Sequence, residues 1–211
     1  MPSYLFTAPY QRAKRVPMKT NSALLLIDLQ NDFCAGGSLA VSGGDEVIPI
    51  ANALMPYFKT IIATQDWHPK NHMSFESLWP VHCVQNTHGA ALHSDLNVGA
   101  ITTIFKKGTD QNIDSYSAFY DNEHLKSTGL TVWLREKNIS VLYVIGLATD
   151  YCVKFSCCDA VADRFTVYLI ENGCRGVNVE KNDIENALLM MQERGVRVIQ
   201  SEEIMRHGLL Q

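Results

Sequence analysis

The chain has 211 residues, a formal net charge of −4, and 46% hydrophobic against 19% charged side chains. That balance suits a globular fold with a sizeable core and excludes a nucleic-acid surface as its main business. No apolar run approaches the roughly 20 residues of a membrane-spanning helix, and the six cysteines contain no CxxC pair, so they fit neither a zinc ribbon nor a dense disulfide scaffold.

Residues 1–20 carry Arg12, Lys14, Arg15 and Lys19 without an acid, together with Pro2, Pro9 and Pro17. They are expected to form a loosely attached extension to one domain over residues 21–211. With no secretory h-region, reduced thiols and a cytoplasmic location are expected. Residues 23–28 are an apolar run closing on Asp28, read as the first central strand. Turn chemistry follows over 31–38. Apolar residues at Val47, Ile48, Ala51, Leu54, Met55 and Phe58 predict a helix over 45–59.

Residues 60–66 read as a second strand, closing on Asp66. Residues 67–100 are irregular and rich in His, Pro, Asn and Gly, and so long a loop in a compact domain is usually functional. A third strand over 102–108 ends in lysines. A helix is expected within 121–138, strongest over 130–137. The β-branched run 141–145 predicts a buried strand leading through Gly146 into a helix over 154–164. Residues 166–170 make a fifth strand, residues 179–194 a helix stopped by Gly195, and residues 196–199 a last strand.

Apolar strands alternating with helices imply βαβ units, a mostly parallel six-stranded sheet, and a three-layer α/β/α fold. In such a sheet ligands bind beyond the carboxyl ends of the strands. Asp28, Asp66, Lys107 and Cys152 all fall at those ends, so the topology makes them neighbours. Cys152, where a strand hands over to a helix, is expected to be an exposed thiol of lowered pKa, with a buried structural cysteine as the alternative.

Asp28 could serve such a thiol as base, Lys107 could hold Asp28 ionised, and the backbone amides of Ala148 and Cys152 are placed for an oxyanion hole. Spacing alone equally allows Asp28 and Lys107 to be a structural ion pair. Asp66-Trp67-His68 offers two metal ligands at one strand end, and a histidine of the following loop could complete a facial set for Zn²⁺, Mn²⁺ or Fe²⁺. His72, His88 and His93 are treated as loop histidines and Cys83 as a packed thiol. Phe33, Trp67, Trp79, Tyr116 and Tyr151 could line a slot for a flat ring.

The blocks Asp28-Leu29-Gln30-Asn31-Asp32-Phe33, Asp66-Trp67-His68-Pro69, Trp79-Pro80-Val81-His82-Cys83, Phe105-Lys106-Lys107-Gly108 and Gly146-Leu147-Ala148-Thr149-Asp150-Tyr151-Cys152-Val153 together resemble the nicotinamidases among the isochorismatase-like cysteine hydrolases, over roughly residues 21–203. The resemblance implies hydrolysis of nicotinamide to nicotinate and ammonia through a Cys152 thioester, feeding NAD salvage. It implies Asp28 as base and acid, Lys107 as the third triad member, and a cis peptide at Leu147–Ala148. One divalent ion, Zn²⁺ first, is implied on Asp66, His68 and His82, with His72 a ligand in some members. Phe33, Trp79, Tyr116 and Tyr151 correspond to the ring-binding positions. The implied partner is a small molecule rather than nucleic acid or membrane, and homo-oligomerisation is left open. The rival readings are another amidase of the family, such as a pyrazinamide or carbamoyl-group hydrolase, and a non-catalytic metal-binding member.

Overall fold

A computed structural model describes residues 21–76 and 78–207; the basic extension expected over 1–20 lies outside them. Six strands form one sheet: β1 (Ser22–Ile27), β2 (Ile61–Asp66), β3 (Thr103–Lys107), β4 (Val141–Leu147), β5 (Thr166–Arg175) and β6 (Arg197–Ile199). Their order is β3-β2-β1-β4-β5-β6 and every pairing is parallel, so the expected mostly parallel sheet is wholly so. Among the described residues five α-helices accompany them: α1 (Val47–Leu54), α2 (Leu130–Glu136), α3 (Lys154–Ala162), α4 (Asp183–Glu193) and α5 (Ser201–His207).

The period-2 alternation of strand side chains splits the core in two. Leu24 and Leu26 of β1 pack with Val47, Ala51 and Leu54 of α1 and Ile204 of α5. Ala23, Leu25 and Ile27 face the other way, onto Leu130 and Leu134 of α2, Cys157 and Ala160 of α3, and Met191 of α4. β1 is buried on both faces, which accounts for its unbroken apolar run. Among the described residues, no helix is long and apolar enough to cross a membrane.

Several element boundaries differ from the sequence expectation. The helix expected over 45–59 is α-helical only over Val47–Leu54, with tight turns at Gly44–Glu46 and Met55–Tyr57. Pro56 explains the end, since it has no N–H to give and its ring crowds the preceding turn. The helix expected from 179 begins at Asp183, because the amides of Val177 and Asn178 donate to the Asp150 carboxylate at 3.0 and 2.6 Å and hold that segment as a loop. β5 runs past residue 170: Leu169 pairs with Val144 and Cys174 with Gly146, across an irregularity in the ladder. The closing helix α5 had no counterpart in the sequence reading.

The strand order reverses direction between β1 and β4. A crevice opens at such a switch point, outside the carboxyl ends of the two strands. Gly146 lets the pair meet there: a Cβ on it would lie 2.2 Å from the carbonyl oxygen of Ile27. The next residue along β1 is Asp28, and six residues beyond Gly146 is Cys152.

Candidate active site

The crevice is a pocket lined by Cys152, Ala148, Asp66 and His82 together with Phe33, Trp79, Tyr116 and Tyr151. Apolar and aromatic walls with a few convergent polar groups suit a small-molecule site. Trp79 Nε1 donates to the Tyr116 hydroxyl at 3.0 Å, and Tyr151 stands nearly edge-on to Trp79 with ring centroids 5.0 Å apart. The four aromatic residues expected at the ring-binding positions are thus all on the cavity. Trp67 is not among its lining residues; the Lys106 ammonium sits 3.4 Å above its ring.

Lys107 is the hub below the cavity. Its side chain is wholly buried, and Nζ lies 2.9 Å from Asp28 Oδ2 and 2.5 Å from Asp66 Oδ1. It donates to the Ser115 carbonyl at 2.9 Å and toward Cys152 Sγ at 3.4 Å. Burial alone would drive its proton off, but the two carboxylates overrule burial and hold the ammonium charged. Burial likewise pushes Asp66 up, yet Lys107 and His68 outweigh it and keep that carboxyl well below the usual range. At Asp28 burial outweighs Lys107, so its carboxyl is raised.

Asp28 sits at φ 49°, in the left-handed region that Asp tolerates better than most residues. Thr64 fixes it there: Thr64 Oγ1 accepts the Asp28 amide at 3.1 Å and donates to Asp28 Oδ1 at 2.6 Å. Gln30 bonds both the amide and the carbonyl of Asp66, at 2.8 and 2.9 Å. Sequence reasoning missed both residues. Thr64 shares a strand face with Asp66 two positions on, and this spacing was the available signal.

The thiol differs from its expectation. Cys152 is only 6% exposed, and burial raises its pKa well above the ordinary thiol value despite the Lys107 charge. It belongs to a π turn, Thr149–Val153, that precedes α3, with Tyr151 at non-helical angles. A strand-to-helix handover does not specify depth, and here the thiol is buried at the floor of the crevice. The Leu147–Ala148 peptide is cis, as the resemblance implied. The Ala148 carbonyl accepts from the amides of Tyr151 and Val153.

Beside this group, donor atoms of Asp66, His68 and His82 all lie within 4.8 Å of one another, as do those of His68, His72 and Asp114. His68 Nδ1 donates to the Gly108 carbonyl at 2.9 Å and His82 Nδ1 to the Pro80 carbonyl at 2.8 Å, so in the neutral imidazole Nε2 of each ring carries the lone pair. Gly108, at φ 61°, permits the first contact, since a Cβ there would strike the His68 ring at 2.4 Å. Burial lowers His72 and His82 toward the neutral imidazole. His72, treated in the sequence as a loop histidine, is 1% exposed with its ring 4.1 Å from that of His68. Its Nε2 is buried without a hydrogen-bond partner. Such an orphaned atom beside carboxylate and imidazole donors fits a divalent cation.

A parallel α/β sheet with thiol, carboxylate and ammonium converging at its switch point defines a recognisable class. Residues 22–203 match the Isochorismatase domain, and the chain belongs to that family. Within it, the chain is 47% identical over 195 residues to the nicotinamidase of Escherichia coli, covering 82% of this chain and 92% of the relative. The solved Acinetobacter baumanii nicotinamidase superposes with a TM-score of 0.86 at 41% identity, covering 88% of this chain and 99% of that one. The Pyrococcus horikoshii pyrazinamidase, solved in complex with zinc, superposes with a TM-score of 0.76 at 38% identity, covering 85% and 99%.

Proposed function

We infer that the chain hydrolyses nicotinamide to nicotinate and ammonia, feeding NAD salvage. The observation that carries the mechanism is the Lys107 ammonium, 2.9 Å from Asp28 and 3.4 Å from Cys152 Sγ on the cavity floor. Asp28 takes the Cys152 proton, a transfer that leaves the total charge of the buried site unchanged and so escapes most of the desolvation cost. The thiolate attacks the carboxamide carbon, and the amides of Ala148 and Cys152 hold the oxyanion. Collapse breaks the C–N bond as Asp28 returns its proton to the leaving nitrogen, releasing ammonia and a thioester. Asp28 then takes a proton from water, the resulting hydroxide adds to the thioester, and C–S cleavage yields nicotinic acid, which loses its proton to solution as nicotinate. The thiolate recovers its proton from Asp28.

Lys107 stays charged throughout, holding Asp28 toward the thiol and opposing negative charge on sulfur. Asp66, His68 and His82, with His72 as a fourth, are the residues that would hold a divalent ion, Zn²⁺ by this donor set. When bound, that ion supplies a Lewis acid for the ring nitrogen of the substrate, and so orients the ring. Phe33, Trp79, Tyr116 and Tyr151 clamp the ring faces and exclude water. The reading places the enzyme in the cytoplasm, with residues 21–211 as its one domain.

The test is ammonia release over a panel of nicotinamide, pyrazinamide and carbamoyl amides by the parent and Cys152→Ala. The parent should favour the pyridine carboxamide and the variant should lose activity by roughly three orders of magnitude or more. Turnover of carbamoyl amides alone, or full activity in Cys152→Ala, would sink the reading.

A further inference from the structure

We propose that Asp114 supplies a second carboxylate to the cation site, alongside Asp66; this rests on the metal reading given above. Asp114 lies in the loop after β3, is 7% exposed, and lines the same cavity as Asp66 and His82. A buried carboxylate is ordinarily paired with a cationic side chain or bound to a metal. Lys107 is committed to Asp28 and Asp66. Among the described residues no lysine or arginine forms an ion pair with Asp114; the one group that faces it so is the His72 imidazole.

The spacing lies within reach of one shared ion. Asp114 Oδ1 and His72 Nε2 are 4.0 Å apart, beyond hydrogen-bond reach. Two donors bonded to one Zn²⁺ at about 2.0–2.2 Å each can be no more than about 4.3 Å apart. The pair falls between those limits, as do His68 Nε2 and Asp66 Oδ2 at 3.7 Å. His68 belongs to both donor groups, so the two sets adjoin at His68.

The carboxylate is held in place from behind. Asp114 Oδ1 accepts the Ser115 amide at 2.7 Å, and the Asp114 carbonyl accepts the Asn122 amide at 2.8 Å. The Ser115 hydroxyl donates to the carbonyls of Ser117 and Tyr120. The Ser115 carbonyl accepts from Lys107. One residue thus anchors the second carboxylate and the ammonium hub together.

The experiment titrates Zn²⁺ into the chelator-stripped full-length protein against a chromophoric competitor. The parent, Asp114→Asn, Asp114→Glu and Asp66→Asn are compared, each with a melting curve in the absence of metal. Asn keeps an oxygen for the Ser115 amide, so Asp114→Asn should fold. It should bind Zn²⁺ about 10- to 100-fold more weakly, with Asp114→Glu, which keeps the charge, recovering part of the loss. Parental affinity in Asp114→Asn, with Asp66→Asn weakened, overturns this assignment alone. Parental affinity in both variants overturns the reading of the whole centre.

Discussion

Thr64→Val removes one hydroxyl from beneath Asp28 and keeps the outline of the side chain. Thr64 is fully buried, and its hydroxyl is bonded to both the amide and the carboxylate of Asp28. A hydrogen bond to a charged group contributes about 1.5–3 kcal/mol. At about 1.4 kcal/mol per pKa unit, losing it raises Asp28 by roughly one to two units. The base works only when ionised, so activity is lost as pH falls through the Asp28 pKa. Burial already places that value above the ordinary carboxylate; raising it further moves the acid limb of kcat/KM to higher pH by the same roughly one to two units.

Ammonia release measured from about pH 4 to 9 reads that limb directly. The unpaired Asp28 amide costs a further ~1–3 kcal/mol of stability, a fall in Tm of roughly 2–4 °C for each kcal/mol. Thr64→Ser keeps the hydroxyl and should leave the limb in place. If Thr64→Val melts lower but its acid limb does not move, Asp28 is not the group whose ionisation limits the reaction.

Lys107→Met leaves two buried carboxylates uncompensated. It should cost about 3–5 kcal/mol at neutral pH, read by denaturant unfolding, and abolish turnover; parental stability would refute the hub role. Gly146→Ala forces a Cβ into the Ile27 backbone and should destabilise by more than about 3 kcal/mol, seen in Tm. Chelation, or His68→Ala, should raise KM for nicotinamide far more than it lowers kcat; an unchanged KM in steady-state assays would remove the metal from substrate orientation.

The sheet was legible because most strands are apolar runs, three of them closing on Asp28, Asp66 or Lys107, and the parallel topology then put those residues and Cys152 at one edge. The groups that hold those residues were harder to see. Thr64, Gln30 and Ser115 are ordinary polar residues whose role exists only after folding, when a hydroxyl, an amide or a main-chain carbonyl finds its partner. Asp114 lies 48 positions beyond Asp66 in the numbering, in a loop without periodicity, so no spacing could tie it to His72. The depth of Cys152 was misjudged because the strand-to-helix handover marks where the chain turns, but not whether the turn is roofed. The late start of α4 came from a tertiary contact, Asp150 with the 177–178 backbone, which propensity cannot register.

The close approach at Gly146 also bears on how the protein would respond to change. The base hangs from β1 and the nucleophile from the turn after β4, and those strands meet main chain to main chain with no side chain between them. Their separation is therefore a matter of covalent dimensions and ladder hydrogen bonds, not of how well the helices pack. Trimming core residues such as Leu134 or Met191 should lower the melting temperature while the surviving folded molecules turn over at parental rates. Reactivity and robustness are separately adjustable in this molecule.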